Sequence, residues 1–284
     1  LMAFVAYKTQ FISRIASLID HLFELQMLKL QGERLADIVI HPPEENHPKV
    51  DSAVLSQCEA SIEITGLVYR YSEQEPNIIN SLDLCIREGE CISITGCSGS
   101  GKSTLVRLML GILLPTSGQI RIAGFEFDRI GLDCFRGMVG TVMQDDVLFA
   151  GSIAENISFF ESHTELSWIM QCAEAAAIHS EIEAMPMGYN TLVGDMGTVL
   201  SGGQKQRILL ARDLYKKHRI LFLDEATSHL DVLCEQKVNS AIKALHMTRI
   251  IVAHRQETID SADRTITLEA GKIISDTSIQ NYRL

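Results

Sequence analysis

The most constraining feature of the chain is a glycine-rich segment, GCSGSGKST, at residues 96–104. A short apolar run precedes it, and an apolar run typical of a helix follows it at 102–114 and ends before Pro115. Strand, glycine turn and helix in this order are the context in which a GxxxxGKS segment holds phosphate. Its glycines expose backbone N–H groups, and the helix points its positive end at the same anion. A chance glycine turn is the alternative, and the flanking pattern disfavours it.

The residue types within this segment predict separate tasks at a bound polyphosphate. Lys102 is placed to reach the β and γ phosphates, the Ser103 hydroxyl to coordinate Mg²⁺, and Thr104 to contact an inner phosphate. The candidate phosphate-binding residues are Gly96, Cys97, Ser98, Gly99, Ser100, Gly101, Lys102, Ser103 and Thr104.

An acidic pair follows a second apolar run. Residues 220–223 are continuously apolar, which is typical of a parallel strand covered on both faces. Such a strand delivers Asp224 and Glu225 to the carboxyl edge of a sheet, where α/β proteins bind their ligands. Asp224 can hold Mg²⁺, and Glu225 can orient and deprotonate a water molecule. A solvated acidic turn is the commoner explanation of an isolated pair, but the upstream phosphate loop disfavours it here.

The segment LSGGQ, at residues 200–204, predicts a second anion-binding helix start. Ser201 and Gln204 have the spacing of a capping box, so a plain helix N-terminus explains them equally well. The same serine cap followed by Gly202 and Gly203 leaves accessible N–H groups that suit a γ phosphate. Because the chain already carries one phosphate loop, a triphosphate contacting both would most simply bridge two copies in a head-to-tail dimer.

Three further candidates depend on these motifs. The amide of Gln144, after a strand-like run, can touch both Mg²⁺ and the attacking water. His254 follows another buried-type run and can hydrogen-bond a γ phosphate, and Tyr71 offers an aromatic face to a base. Each of the three alone would be an ordinary structural residue, so they are predicted only in combination with the loop, the carboxylates and LSGGQ.

Composition excludes some classes of protein. The formal net charge of -11 disfavours a broad nucleic-acid surface, which needs clustered Lys and Arg, so no nucleic-acid partner is expected. Seven cysteines without a CxxC pair favour a reduced cytosolic compartment and disfavour structural zinc. No run of 18 apolar residues is present, so the chain is not expected to span a bilayer by itself. A first residue other than Met suggests a soluble piece of a longer polypeptide.

Three segments are predicted along the chain. Residues 1–40 are predicted to form an amphipathic helix, because apolar residues recur there at steps of three and four. We interpret it as a membrane-proximal extension at the cytoplasmic end of a membrane helix, and a packing or membrane-surface helix is the alternative. Residues 41–59 concentrate proline and charge and form a linker. Residues 60–284 form an α/β domain with a mixed β-sheet, an antiparallel β lobe near its start and a helical subdomain at about 152–216. The recurring apolar residues of the first segment are Phe11, Ile15, Leu18, Leu22, Leu25 and Leu28.

Together these motifs, with SHLD at 228–231, resemble the nucleotide-binding domain of an ATP-binding cassette (ABC) transporter from about Ser61 onward. The resemblance implies a P-loop NTPase core of ABC ATPase architecture, with ATP and Mg²⁺ as cofactors. It implies stacking of the base on Tyr71 and metal coordination by Ser103, Gln144 and Asp224. The catalytic residues it implies are Glu225 as base, His254 as switch histidine, Gln144 and Lys102.

Two longer segments narrow the resemblance. GYNTLVGDMG, at 188–197, is similar to the coupling segment of exporter-type members. VMQDDVLFAGSIAENISFF, together with the N-terminal LMAFVAYKTQF and LKLQGERLADIV, resembles peptidase-containing bacteriocin exporters of the colicin V secretion type. This implies a peptide substrate, transmembrane domains in the same polypeptide, and a place at the cytoplasmic face of the bacterial inner membrane.

Three positions depart from the family pattern. Cys97 stands where proline or a small residue is common, Asp195 where glutamate is typical, and His229 where alanine is usual.

Two alternative functions remain. A soluble ABC-type ATPase not coupled to transport is one alternative, disfavoured by the negative charge and the helical extension. A nucleotide sensor without turnover is the other, and Glu225 together with His254 disfavours it.

Overall fold

The computed structural model describes residues 2–40, 50, 52–143, 145–194, 200–224, 232–253 and 255–278. By its contacts the chain divides into two units, Leu1–Asn46 and His47–Leu284. The described part of the first unit is one helix, α1 (Met2–Ile40), and none of its residues is buried. In the described part of the chain, no helix combines the length and the apolar character that crossing a bilayer requires.

The second unit contains two main sheets and a group of helices. Its strands are β1 (Ile62–Tyr69), β2 (Ile79–Ile86), β3 (Cys91–Thr95), β4 (Ser117–Ile122), β5 (Phe125–Glu126), β6 (Val139–Val142), β7 (Gly151–Ser152), β8 (Leu192–Val193), β9 (Ile220–Asp224), β10 (Thr248–Val252), β11 (Arg264–Glu269) and β12 (Lys272–Ser278). Its helices are α2 (Ser52–Gln57), α3 (Lys102–Met109), α4 (Phe127–Ile130), α5 (Leu132–Met138), α6 (Ile153–Ser158), α7 (Leu166–Ala175), α8 (His179–Glu183), α9 (Gly202–Tyr215), α10 (Val232–Ala244) and α11 (Gln256–Asp260), with a 3₁₀ turn at Gly188–Asn190.

The first main sheet is antiparallel and has the strand order β2-β1-β4-β5. Its central strand pairs on both sides, with Ile62 opposite Ile86 in one neighbour and Ile122 in the other. These three side chains are fully buried, because alternate residues of a half-covered strand face the core. The predicted antiparallel β lobe is therefore confirmed.

The second main sheet is mixed, with the strand order β12-β11-β3-β10-β9-β6. All neighbours in it are parallel except β11 and β12. In the register of the central strands, Val252 of β10 lies beside Ile94 of β3 and Asp224 of β9. Parallel pairing brings the carboxyl ends of β3, β10, β9 and β6 to one edge, which is where α/β sheets bind ligands.

Both faces of the mixed sheet are covered. Phe222 of β9 belongs to one buried cluster, whereas its neighbours Leu221 and Leu223 belong to a second cluster on the opposite face. Successive strand residues point to opposite faces, so a strand covered on both sides needs an unbroken apolar run. The prediction that 220–223 form such a strand is confirmed.

Helix α3 is shorter than its sequence pattern predicts. The apolar run extends to residue 114, but the helix ends at Met109 and Gly111 takes a positive φ of 66°. The backbone N–H of Ile112 donates to the Arg107 carbonyl at 3.0 Å, and that of Gly111 donates to the Leu108 carbonyl at 3.0 Å. This pair of bonds is a Schellman ending, and the glycine that permits it stops the helix before the proline does.

Helices α6, α7, α8 and α9 form the predicted helical subdomain. They share the second buried cluster, which includes Ile153, Ile169 and Ile208. Gly151 of β7 pairs with Val193 of β8 in a short antiparallel sheet. The first three of these helices therefore lie in the chain segment between two paired strands.

The turn between β11 and β12 connects the two sheets to the phosphate loop. The N–H of Gly271 donates to the Ser100 carbonyl at 3.1 Å, and its carbonyl accepts from the N–H of Asn80 at 2.9 Å. Gly271 has a φ of 73°, and an added Cβ would overlap the carbonyl oxygen of Ile78. Any larger residue there must displace β2, the phosphate loop, or both.

We predict that Gly271→Ala lowers the free energy of unfolding by about 3 kcal/mol, because backbone strain and steric overlap act together. Gly124→Ala is the matched control, since its φ of 81° is similar but its Cβ would meet open space. That variant should lose only about 1 kcal/mol, the cost of the left-handed conformation. Urea unfolding followed by circular dichroism measures both, and equal losses would contradict the proposed overlap.

Candidate functional site

The phosphate loop lies between β3 and α3 and is closed by its own lysine. Lys102, only 7% exposed, donates its Nζ to the Gly96 carbonyl at 2.8 Å and to the Cys97 carbonyl at 3.0 Å. Glycine is required at position 96, because an added Cβ would overlap the carbonyl oxygen of Leu268 in β11. The ammonium group of Lys102 thus bridges two carbonyls of the loop, and Gly96 packs closely against β11.

The phosphate loop and the start of α3 suit a bound anion. Among the residues that the structure describes, no side chain caps the N-terminus of α3 at Gly101. The hydroxyl of Ser100 is buried and has no hydrogen-bond partner in the described part of the chain. The Ser103 side chain is exposed on the first turn of α3. An uncapped helix start, an orphaned hydroxyl and a buried cation fit a phosphate group bound at the loop.

Cys97, Ser98 and Gly99 form the exposed crest of the loop. Cys97 is one of six free cysteines among those described. Its thiol therefore lies at the surface of the phosphate cradle rather than in the core.

Tyr71 lies beside the loop. Its hydroxyl is 3.4 Å from Oγ1 of Thr104 in α3, and its ring meets Tyr69 edge-on with centroids 5.1 Å apart. The side chain is 51% exposed. About half of Tyr71 is thus exposed to solvent next to the predicted phosphate site.

The predicted metal-binding carboxylate, Asp224, lies at the end of β9. Asp224 is its last residue, partly buried at the carboxyl edge and paired in register with Val252. Gln144, Glu225 and His254 lie outside the described residues, as do Asp195 and His229. The strands that precede Gln144, Glu225 and His254 are β6, β9 and β10, and they end at the same edge as β3.

The predicted capping box at LSGGQ is present. Oγ of Ser201 accepts from the N–H of Gln204 at 3.2 Å, and Oε1 of Gln204 accepts from the N–H of Ser201 at 2.9 Å. Ser201 and Gly202 are exposed at the start of α9, whereas Gly203 is buried. The exposed helix end leaves the N–H groups of its first turn accessible to an external anion.

Two residues that sequence reasoning missed, Glu181 and Arg207, support this helix start. Glu181 of α8 accepts from Nε2 of Gln204 at 2.9 Å and from Nη1 of Arg207 at 2.6 Å. Arg207 is 8% exposed, and it also donates to the Gly203 carbonyl at 3.1 Å. Neither Glu181 nor Arg207 belongs to a local motif, so only their contacts reveal them.

The two predicted phosphate-binding elements have separate contact sets. Lys102 makes its contacts within the phosphate loop, whereas Ser201 makes its contacts within the helical subdomain. Each predicted phosphate-binding element therefore has its own supporting contacts.

The comparisons with known proteins agree with this geometry. A family model described as ABC transporter matches residues 79–228, which is more than half of the chain. The chain belongs to the ABC transporter family. Membership confirms the resemblance seen in the motifs and implies that this ABC domain binds nucleotide.

Two similar proteins come from Escherichia coli. The chain is 45% identical over 267 residues to the probable microcin-H47 secretion/processing ATP-binding protein MchF, and 46% identical over 267 residues to the colicin V secretion/processing ATP-binding protein CvaB. Each alignment covers 94% of this chain and 38% of the relative. The leukotoxin translocation ATP-binding protein LktB of Mannheimia haemolytica is 36% identical over 276 residues, covering 96% of this chain and 39% of the relative. The chain thus spans about two fifths of the length of these relatives.

A solved structure shares the fold. The structure of a bacterial Atm1-family ABC exporter with ATP bound matches with a TM-score of 0.80 and 32% sequence identity. The match covers 90% of this chain and 45% of the exporter chain. The ABC ATPase fold is therefore shown by sequence and structure alike.

The far end of α9 carries an unusual carboxyl group in this ABC domain. Asp213 is largely buried, and burial raises its pKa to about 8 despite the N–H of Thr141 that donates to Oδ1 at 3.3 Å. The charge of Asp146 contributes to this rise in pKa, whereas the charge of Arg212 opposes it. Nδ1 of His218 lies 3.8 Å from Oδ1.

We predict that this group makes stability depend on pH. Between about pH 4 and pH 8 the unfolded chain releases a proton that folded Asp213 retains, so stability present at low pH is lost as pH rises. At its steepest, the free energy of unfolding should fall by roughly 1.4 kcal/mol per pH unit. Asp213→Asn should flatten the dependence of the unfolding free energy on pH, measured by urea unfolding from pH 5 to 8. Asp145→Asn, at an exposed site, should keep the wild-type slope, and equal slopes in all three proteins would contradict the assignment.

Proposed function

We propose that the chain is the ATP-hydrolysing nucleotide-binding domain of an ABC exporter. Two copies would pair head to tail around two Mg-nucleotides, and their closing and reopening would drive transport through attached transmembrane domains. One observation carries the proposal. Among the described residues, the same chain has a phosphate loop with an orphaned hydroxyl and an uncapped helix start and, in a separate contact set, an exposed capped helix start.

The phosphate loop supplies the first half of the proposed site. Its nucleotide-contacting residues would be 96–104, with the ammonium of Lys102 turning from the loop carbonyls toward the β and γ phosphates. Tyr71 would stack on the base, as its exposed ring beside Thr104 permits. Ser201, Gly202, Gly203 and Gln204 of a second copy would supply the other half and contact the γ phosphate.

The carboxyl edge supplies the proposed chemistry. Ser103, Gln144 and Asp224 would hold Mg²⁺, and hydroxyl, amide and carboxylate oxygens are the donors this ion prefers. The ion would neutralise charge on the phosphates when bound. Glu225 would accept a proton from water as the water oxygen bonds to the γ phosphorus and the bond to ADP breaks. His254 would hydrogen-bond the γ phosphate.

Export is proposed for the longer protein of which this domain is a part. The relatives named above are secretion, processing and translocation proteins, and the chain spans only 38–39% of their length. We infer transmembrane domains in the same polypeptide, a peptide substrate, and a position at the cytoplasmic face of the bacterial inner membrane. Helix α1, with no buried residue, would lead from the membrane part to the nucleotide-binding domain.

We predict that Glu225→Gln lowers the ATP hydrolysis rate by ~10²- to 10⁴-fold, the usual contribution of a general base. Because binding residues stay intact, the variant should accumulate as a nucleotide-bound dimer. Phosphate release and size-exclusion chromatography with MgATP measure the two effects.

Glu63→Gln is the control for this experiment. It removes an exposed carboxylate of β1 in the antiparallel sheet and should keep the wild-type rate. If Glu225→Gln hydrolyses ATP at the wild-type rate and stays monomeric with MgATP, the proposed mechanism is wrong.

We predict further that Tyr71→Ala weakens nucleotide binding by about five- to 150-fold, because stacking of a base on an aromatic ring contributes ~1–3 kcal/mol. Tyr71→Phe retains the ring and loses only the hydroxyl that faces Thr104, so its affinity should stay close to wild type. Calorimetric titration with MgADP distinguishes the two. Equal weakening in both variants would show that the hydroxyl, not the ring, matters.

A further inference from the structure

The start of α9 is braced by a carboxylate from another helix. Both oxygens of Glu181 are used: Oε2 accepts from Nε2 of Gln204 at 2.9 Å, and Oε1 accepts from Nη1 of Arg207 at 2.6 Å. Its side chain is 40% exposed, whereas that of Arg207 is 10% exposed. One acidic side chain thus contacts the first and second turns of the helix together.

This carboxylate sets the orientation of the Gln204 amide. A carboxylate can only accept hydrogen bonds, so the NH₂ group of Gln204 must face Glu181. The amide oxygen is then directed to the N–H of Ser201, where it accepts at 2.9 Å and completes the capping box. Without Glu181, the amide loses the contact that selects this orientation.

Arg207 links the same carboxylate to the glycine of the helix start. Its Nε donates to the Gly203 carbonyl at 3.1 Å, and Nη1 also donates to the Ala177 carbonyl at 2.7 Å. A buried guanidinium needs an anionic partner close by, because an uncompensated buried charge is strongly destabilising. Glu181 therefore holds both Gln204, directly, and Gly203, through Arg207.

We propose that Glu181 is a positioning residue that presents the capped start of α9 to the nucleotide of a second copy. This inference rests on the proposed function, in which Ser201 to Gln204 contact a γ phosphate held by the partner. Glu181 touches no nucleotide; it orients the groups that do. Its loss should weaken the two-copy, nucleotide-bound state and leave binding at the phosphate loop of one copy unchanged.

The experiment compares Glu181→Ala and Glu181→Gln with the wild-type 284-residue chain. ATP hydrolysis is measured against protein concentration at saturating MgATP, and MgADP affinity is measured by calorimetry at a concentration where the chain is monomeric. Glu183→Ala is the matched control, because Glu183 is an exposed carboxylate of the same helix that faces His179 at 3.4 Å. Thermal unfolding shows that each variant is folded.

For Glu181→Ala we expect the protein concentration at half-maximal activity to rise about tenfold or more, with MgADP affinity within twofold of wild type. Glu181→Gln keeps an acceptor for Gln204 and loses the charge that faces Arg207, so its shift should be smaller. Glu183→Ala should behave as wild type. The Glu181→Ala and Gln204→Ala shifts should be less than additive when combined, because the two residues share one contact.

Three results would overturn the inference. One is a folded Glu181→Ala variant whose ATP hydrolysis depends on protein concentration as in the wild type. Another is a loss of MgADP affinity as large as the shift in that concentration dependence, which would indicate general damage. Failure of both Glu181 variants to fold would assign the residue a structural role only. A wild-type chain without ATP hydrolysis, or with a rate strictly proportional to concentration, would instead refute the proposed function, and this inference with it.

Discussion

Parallel pairing of β3, β10, β9 and β6 is the constraint on which the rest of the structure depends. It places the end of β3, where the phosphate loop begins, at the same edge as Asp224 at the end of β9. Both faces of these strands are buried, by the two clusters to which Phe222 and Leu223 belong. A shift of one residue in register would exchange these faces, so the packing of the core also fixes the positions of the polar strand ends.

The helical subdomain carries the capped start of α9 and holds it with its own contacts. Helices α6, α7 and α8 lie between β7 and β8 in the sequence. Helix α9 follows β8 and has Ser201 at its exposed N-terminus. Hydrogen bonds from Gln204 and Arg207 to Glu181 hold that end in place. The exposed start of α9 and the phosphate loop are thus supported by different contacts within one ABC domain.

Features made by residues close in sequence were predicted well. The box between Ser201 and Gln204 spans three residues, and the apolar run of β9 follows directly from burial on both faces. Helix α3 was predicted too long, because Pro115 was taken as its end and the αL capacity of Gly111 was overlooked. The catalytic assignments at Gln144, Glu225 and His254 remain predictions.

The sequence by itself determined the local elements: the phosphate loop, the capping box and the alternation of buried strands, each of which depends on neighbouring residues. Tertiary structure decided which of these elements meet. Glu181 is 23 residues from Gln204 in the sequence. Gly271, near the end of the domain in sequence, donates its N–H to the carbonyl of Ser100. Such contacts depend on how sheets and helices pack, because a distant hydrogen-bond partner leaves no periodic signal in the chain.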